Sequence, residues 1–234
     1  MKDQIRIEPA FDGFVESIGG VVLKNQIGAS PSFENADYIL HQQEIVAELK
    51  CLEDNKLDDP DYMAKIEAAW RKWKDLGYVT GETPERIVLS DLPPCCGREL
   101  VTIASAPLKG VIRKANRQIR QTKDKLNLPT YKGLLLLAND GNYALPPNTL
   151  NQLVGGILRG GYTSINCYVL LSVNMVAQVP GVEIPCMVWM PSFRSEEESI
   201  PREVMEFLRD GWKSYHEQLT GRTYRCFGDV REQQ

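Results

Sequence analysis

The chain has 234 residues, 43% of them apolar and 25% charged, with a formal net charge of −4. These proportions suit a folded globular protein and argue against a disordered or fibrous chain. They also lack the bulk basic excess that most nucleic-acid-binding domains carry. The length accommodates one sizeable α/β domain with insertions. No apolar run approaches the roughly 18 residues of a membrane span. The first residues, Met1 to Glu8, lack the apolar core of a secretory signal, so the cytosol is the expected compartment. The 6 cysteines include no Cys-x-x-Cys pair and stand beside only 2 histidines, so no zinc site is expected.

Apolar residues at helical spacing over 11–18 predict a first helix, closed by Gly19 and Gly20. Two apolar runs follow, Tyr38, Ile39 and Leu40, then Ile45, Val46 and Ala47, on either side of a polar turn. That pattern predicts a β-hairpin. Whether the turn has two residues or four, the register is the same. Leu40 faces Ile45, Ile39 faces Val46, and Asp37 falls opposite Glu48. Directly opposed residues have Cβ atoms about 5 Å apart, and period-two alternation puts Lys50 on the same face as Glu48. Two like charges so placed are destabilising. The pair therefore asks for a cation, and a hard divalent ion suits carboxylate oxygens. The plainer alternative is an exposed hairpin edge with solvated charges.

Beyond the hairpin, 54–61 is acidic and rich in turn formers, and 62–76 predicts a helix with an apolar stripe of Ile66, Ala69, Trp70 and Trp73. Such a stripe reads as core or interface packing ahead of nucleic-acid contact. The stretch 82–107, with Pro93, Pro94 and Gly97, reads as an irregular connection holding one or two short strands. A helix over 108–126 buries Val111, Ile112, Ala115, Ile119, Thr122 and Leu126. Its remaining surface carries Lys109, Arg113, Lys114, Arg117, Arg120, Lys123 and Lys125 against the single acid Asp124. So basic a face is either a phosphate-contacting surface, a solvated face, or a partner for Asp58, Asp59 and Asp61.

A buried strand over 133–138, a turn at 139–142, a helix over 147–158, a second buried strand over 164–173 and a short edge strand over 186–190 come next. The C-terminal helix spans about 199–220, with Ser199 as N-cap and Pro201 in its first turn. Val204, Phe207, Leu208, Trp212, Tyr215 and Leu219 are its expected apolar face, with His216 as a polar neighbour of packed aromatics. The residues beyond it read as a disordered polar tail. The chain has no glycine-rich phosphate loop, no nucleophile elbow and no internal repeat. With 2 histidines a Ser/His/Asp triad is not expected.

Asp37 before one strand, with Glu48 and Lys50 one residue apart on the next, resembles the PD-(D/E)XK nuclease superfamily, the fold of many restriction and repair endonucleases. Ala36 stands where the proline of the family name would be. Asp54 and Lys56 repeat the acidic-x-Lys spacing, but only the first instance follows an apolar strand with an aspartate placed before it. Outside 37–50 the resemblance rests on the order and character of the elements.

The resemblance implies an α/β fold with a restriction-endonuclease-like core. A mixed central sheet flanked by helices would lie in one domain over 1–234, with 54–107 inserted as a helical segment after the catalytic hairpin. The implied activity is metal-dependent phosphodiester hydrolysis, with DNA the expected substrate. Asp37 and Glu48 would hold Mg²⁺ or Mn²⁺, with Lys50 beside the attacking water. Glu16, from the preceding helix, is either a further acidic ligand or a solvated surface residue. Gln118 would reach toward the metal-bound water. Lys109, Arg113, Lys114, Arg117, Arg120 and Lys123 would track the phosphate backbone, and a homodimer or protein partner is compatible. Two alternatives stand beside this reading. One is a non-catalytic module of the same fold, binding nucleic acid or protein, for example in a defence or mobile-element system. The other is a small-molecule enzyme using Cys95 or Cys96 as nucleophile.

Overall fold

The computed structural model describes residues 4–27, 33–142, 145–176, 184–194 and 199–227. Helix α1 (Ile7–Ser17) buries Ile7, Ala10, Phe11, Phe14 and Val15 along one stripe. Gly19, at φ 76°, takes the left-handed turn beyond its end, which costs a residue without Cβ little. Short elements β1 (Val21–Val22) and α2 (Leu23–Ile27) lead to β2 (Tyr38–Leu40) and β3 (Ile45–Leu52). The β2–β3 hairpin has the expected register, with Tyr38 opposite Ala47, Ile39 opposite Val46 and Leu40 opposite Ile45.

Helix α3 (Pro60–Asp75) starts at an Asp59 cap whose carboxylate accepts the Asp61 and Tyr62 N–H groups. Then come α4 (Pro94–Lys125), β4 (Lys132–Asn139), α5 (Pro147–Leu158), β5 (Cys167–Leu171), β6 (Cys186–Phe193), α6 (Arg202–Thr220) and β7 (Arg225–Phe227). The seven strands lie side by side in chain order. β3–β4, β4–β5 and β6–β7 are parallel, and the other neighbours antiparallel. The fold is α/β, a mixed sheet with helices on both faces.

Alternation along the strands builds two apolar layers. Ile45, Ala47, Leu134, Leu136 and Val169 pack under α1 and α6, against Phe11 and Trp212. Val46, Leu135, Leu137 and Leu170 pack under α4 and α5, against Ile112, Ile119 and Val154. Because β4 and β5 are covered on both faces, they read in sequence as unbroken apolar runs.

The structure corrects four expectations. The segment 82–107 is helical from Pro94 onward, so α4 begins well before residue 108 and runs for 32 residues. Pro94 fits the first turn, where an N–H has no intrahelical partner in any case, and Pro107 lies inside the helix. The first half of α4 packs on α3 through Ala69, Trp70, Trp73 and Cys96. Helices α3 and α4 thus form a helical hairpin whose second arm continues along the sheet. β6 is not an edge strand, because Arg225–Phe227, in the stretch read as a disordered tail, pairs with it. Ser199 does not cap α6, which begins at Arg202 with Pro201 in the cap position and no side-chain cap. The buried face of α6 is Met205, Leu208, Trp212 and His216, while Phe207 and Leu219 are 45% and 50% exposed. Among the described residues no helix is long and apolar enough to cross a membrane.

Candidate active site

The segment leading into β2 is fastened to α4 by three consecutive bonds. The Glu34 N–H donates to Gln121 Oε1 at 2.9 Å. The Gln118 side-chain amide donates to the Asn35 carbonyl at 2.8 Å. The Ala36 N–H donates to Thr122 Oγ1 at 2.7 Å. A proline at 36 would have no N–H to give, so this bond needs a residue such as Ala36 there. Asp37 follows at once, and its carbonyl accepts the Leu23 N–H at 2.8 Å. Its Oδ2 reaches across the hairpin to accept the Leu49 N–H, also at 2.8 Å.

That bond sets the Asp37 carboxylate beside Glu48. Glu48 and Lys50 share the sheet face that carries Val46, the face α4 covers. On β4 they lie opposite Leu135 and Leu137, so the surroundings are apolar. Glu48 is 0% exposed. One of its oxygens pairs with the Lys50 ammonium, and the other, Oε2, has no partner. Burial, and then the Asp37 charge, push the Glu48 carboxyl up to about 8, with Lys50 opposing. Burial also raises Asp37, opposed by the Leu49 N–H and by Lys50. Two carboxyls this close share a proton, and it rests on Glu48, the more deeply buried of the two.

A lone buried oxygen next to a second carboxylate is a fitting donor set for a hard cation. Among the described residues no group of three or more His, Cys, Asp or Glu side chains is arranged to hold a metal. Asp37 and Glu48 supply two carboxylates at this point of the hairpin. Mg²⁺ is commonly bound this way, through one or two carboxylates plus waters and substrate phosphates.

The other expected site residues divide. Glu16 is exposed and accepts a hydrogen bond from Asn25 at 3.2 Å. The α1 acid whose charge reaches Asp37 is Glu8, two turns earlier on a helix that starts sooner than its apolar spacing suggested. Gln118 does face inward, but its amide nitrogen is committed to Asn35 while Oε1 is buried without a partner. Of the six expected phosphate-contacting cations, Arg117 is bound to Glu34. Lys123 is half-buried, which lowers its pKa ahead of the nearby Lys132 charge. Lys109, Arg113, Lys114 and Arg120 are exposed. At about 100° per residue, Lys109, Arg113 and Arg120 fall in one narrow sector of α4. Arg98, also exposed, falls in that sector too, on the part of α4 whose prolines and glycine give no helical signal by local rule.

Compared with protein-family models, with curated proteins and with solved structures, the chain has no match.

Proposed function

We propose that this chain is a metal-dependent phosphodiesterase acting on nucleic acid, built on a restriction-endonuclease-like core, with DNA its expected substrate. The observation that carries the reading is the meeting of Asp37 and Glu48 across the hairpin, a buried acidic pair in which Glu48 Oε2 meets no donor when both carboxyls are ionised. The order α1, hairpin, α4, β4, α5, β5 agrees with it. Asp37 and Glu48 would hold Mg²⁺ or Mn²⁺. Bound there, the ion would act as a Lewis acid that lowers the pKa of a water and offsets charge on the phosphate. Asp37 is held for that task by the Leu49 N–H, and Glu48 gives up its proton on binding a cation. Lys50, on the same face, is placed to neutralise an anionic oxygen. The α4 wall keeps bulk water from the inner side of the pair, where charges interact more strongly. Lys109, Arg113, Lys114 and Arg120 would contact backbone phosphates, so binding should weaken with salt.

A second reading has its own support: two carboxylates and, among the described residues, no third grouped with them, with the lysine already paired to one of them, also suit a non-catalytic module of this fold. Mn²⁺ titration by calorimetry on the wild type and on Glu48→Ala separates the two, combined with a cleavage assay on plasmid, single-stranded DNA and RNA. The enzyme reading expects metal binding that the substitution removes, together with cleavage. No binding at millimolar Mn²⁺ would leave the non-catalytic module.

A further inference from the structure

Glu34 lies three residues before Asp37, in the segment that α4 fastens. Its carboxylate takes both arms of one guanidinium: Arg117 Nε donates to Oε2 at 2.6 Å and a terminal nitrogen to Oε1 at 2.9 Å. This two-point fork fits a carboxylate and a phosphate equally well. Lys114 and Lys50 are the next cations around the same carboxylate, and both favour its ionised form after Arg117. Lys50 is the lysine of the candidate active site. An open cavity of about 440 Å³ surrounds the ion pair, lined by Phe33, Glu34, Arg117, Gln121, Asp124 and Lys125. An anion thus sits among three cations beside the site, in a crevice with room for a larger one.

We propose that Arg117 and Lys114, together with Lys50, form a subsite for one backbone phosphate of the nucleic acid, and that the chain's own Glu34 carboxylate occupies it as an internal competitor. The inference rests on the nucleic-acid reading above and deepens it. Incoming DNA has to displace Glu34 from Arg117. The displacement costs little, because both side chains are about half exposed and exposed ion pairs are weak. Glu34 remains tied to α4 by its backbone N–H, so its carboxylate can swing out while Asp37 stays in register. A purely structural role for the pair, clamping 34–36 to α4, predicts a different result.

The test uses a labelled single-stranded DNA oligonucleotide, followed by fluorescence anisotropy in EDTA so that no cleavage is needed. Glu34→Gln should tighten binding by about fivefold, the effect of removing one exposed ion pair of about 1 kcal/mol. Arg117→Gln should weaken it and reduce the slope of log affinity against log salt by about one. The double variant should match Arg117→Gln, because Glu34 has nothing to compete for once the guanidinium is gone. Glu67→Gln makes the same charge change on exposed α3 and should leave affinity within about twofold. Lys114→Gln should weaken binding in the Glu34→Gln background, which checks the subsite without Arg117. Equal tightening by Glu34→Gln with and without Arg117, or by Glu67→Gln, overturns the subsite and leaves only net charge. Wild-type binding that is indifferent to Glu34 overturns it too. If no variant binds DNA, the nucleic-acid reading itself falls, and the subsite with it.

Discussion

Glu48 and His216 are deeply buried ionisable groups on opposite faces of one sheet, and the protein treats them differently. His216 is 1% exposed, against Trp212 at 5.5 Å and edge-on to Tyr224 at 5.0 Å. Its Nε2 faces the Val173 carbonyl at 3.0 Å and so carries the proton. Burial lowers its pKa, and it stays neutral. A neutral ring among aromatics is ordinary core packing. Glu48 is as deeply buried but has another carboxylate beside it. Leaving a buried acceptor unpaired costs about 1–3 kcal/mol, more if charged. Each has one buried atom without a partner, Nδ1 in His216 and Oε2 in Glu48; the ring rests neutral among aromatics, whereas the two neighbouring carboxyls, once ionised, are destabilising until a cation arrives. Burial alone therefore does not mark a site. Burial of two like charges side by side does.

The largest effect expected is on activity. Glu48→Ala, and separately Lys50→Ala, should lower cleavage by roughly a thousandfold or more, since residues acting as a unit fail together. Trp212→Ala should leave Mn²⁺ affinity unchanged while destabilising the protein by about 3–5 kcal/mol, read by urea denaturation. If Trp212→Ala abolished metal binding as Glu48→Ala does, the two faces would not be functionally separate.

Next in size is the pH dependence of stability without metal, where the two groups act with opposite sign. The folded state holds a proton on Glu48 from its ordinary 4.5 up to about 8, which the unfolded chain releases. This contribution is fully present below about 4.5 and lost as pH rises toward 8. His216 is depressed below its ordinary 6.5, so its contribution is present above 6.5 and lost as pH falls through the folded value. Glu48→Gln should raise Tm at pH 8 more than at pH 5, by roughly 2–4 °C per kcal/mol. His216→Gln should flatten the loss on the acid side only. Equal Tm shifts at both pH values for Glu48→Gln would mean that the carboxyl is not protonated in the fold. Mn²⁺ affinity should rise across the same alkaline range, since binding expels that proton.

The smallest effect lies on the outer face of α4. Arg113→Gln should reduce the salt slope of DNA binding by about one, whereas Lys123→Gln, half-buried, should change it little. Equal losses from both would return the basic helix to a non-specific charged surface.

The hairpin was legible from residue types alone. Apolar runs of three on either side of a polar turn admit one register, and the structure has it. Helix α5 was legible to its ends, because Pro147 starts it. The long helix was not, since Pro93, Pro94, Gly97 and Pro107 are breakers by local rule. The α3 contact through Trp70, Trp73 and Cys96 outweighs their propensities. In α6, sequence could not say that His216 points inward while Phe207 points out, because both lie near the edge of the apolar arc.

By itself, the sequence determined the period of each strand, the opposition of Asp37 and Glu48, and the common face of Glu48 and Lys50. These follow from backbone geometry over a few residues. Tertiary structure decided how those charges are housed. The α4 side chains that hold Glu34, Asn35 and Ala36 lie 83 to 87 residues away in the chain. The burial of Glu48 comes from β4 and α4, and the loss of Arg117 to Glu34 from the same packing. A residue's charge state and partners depend on the dielectric and neighbours around it, and only the packed chain brings those neighbours together.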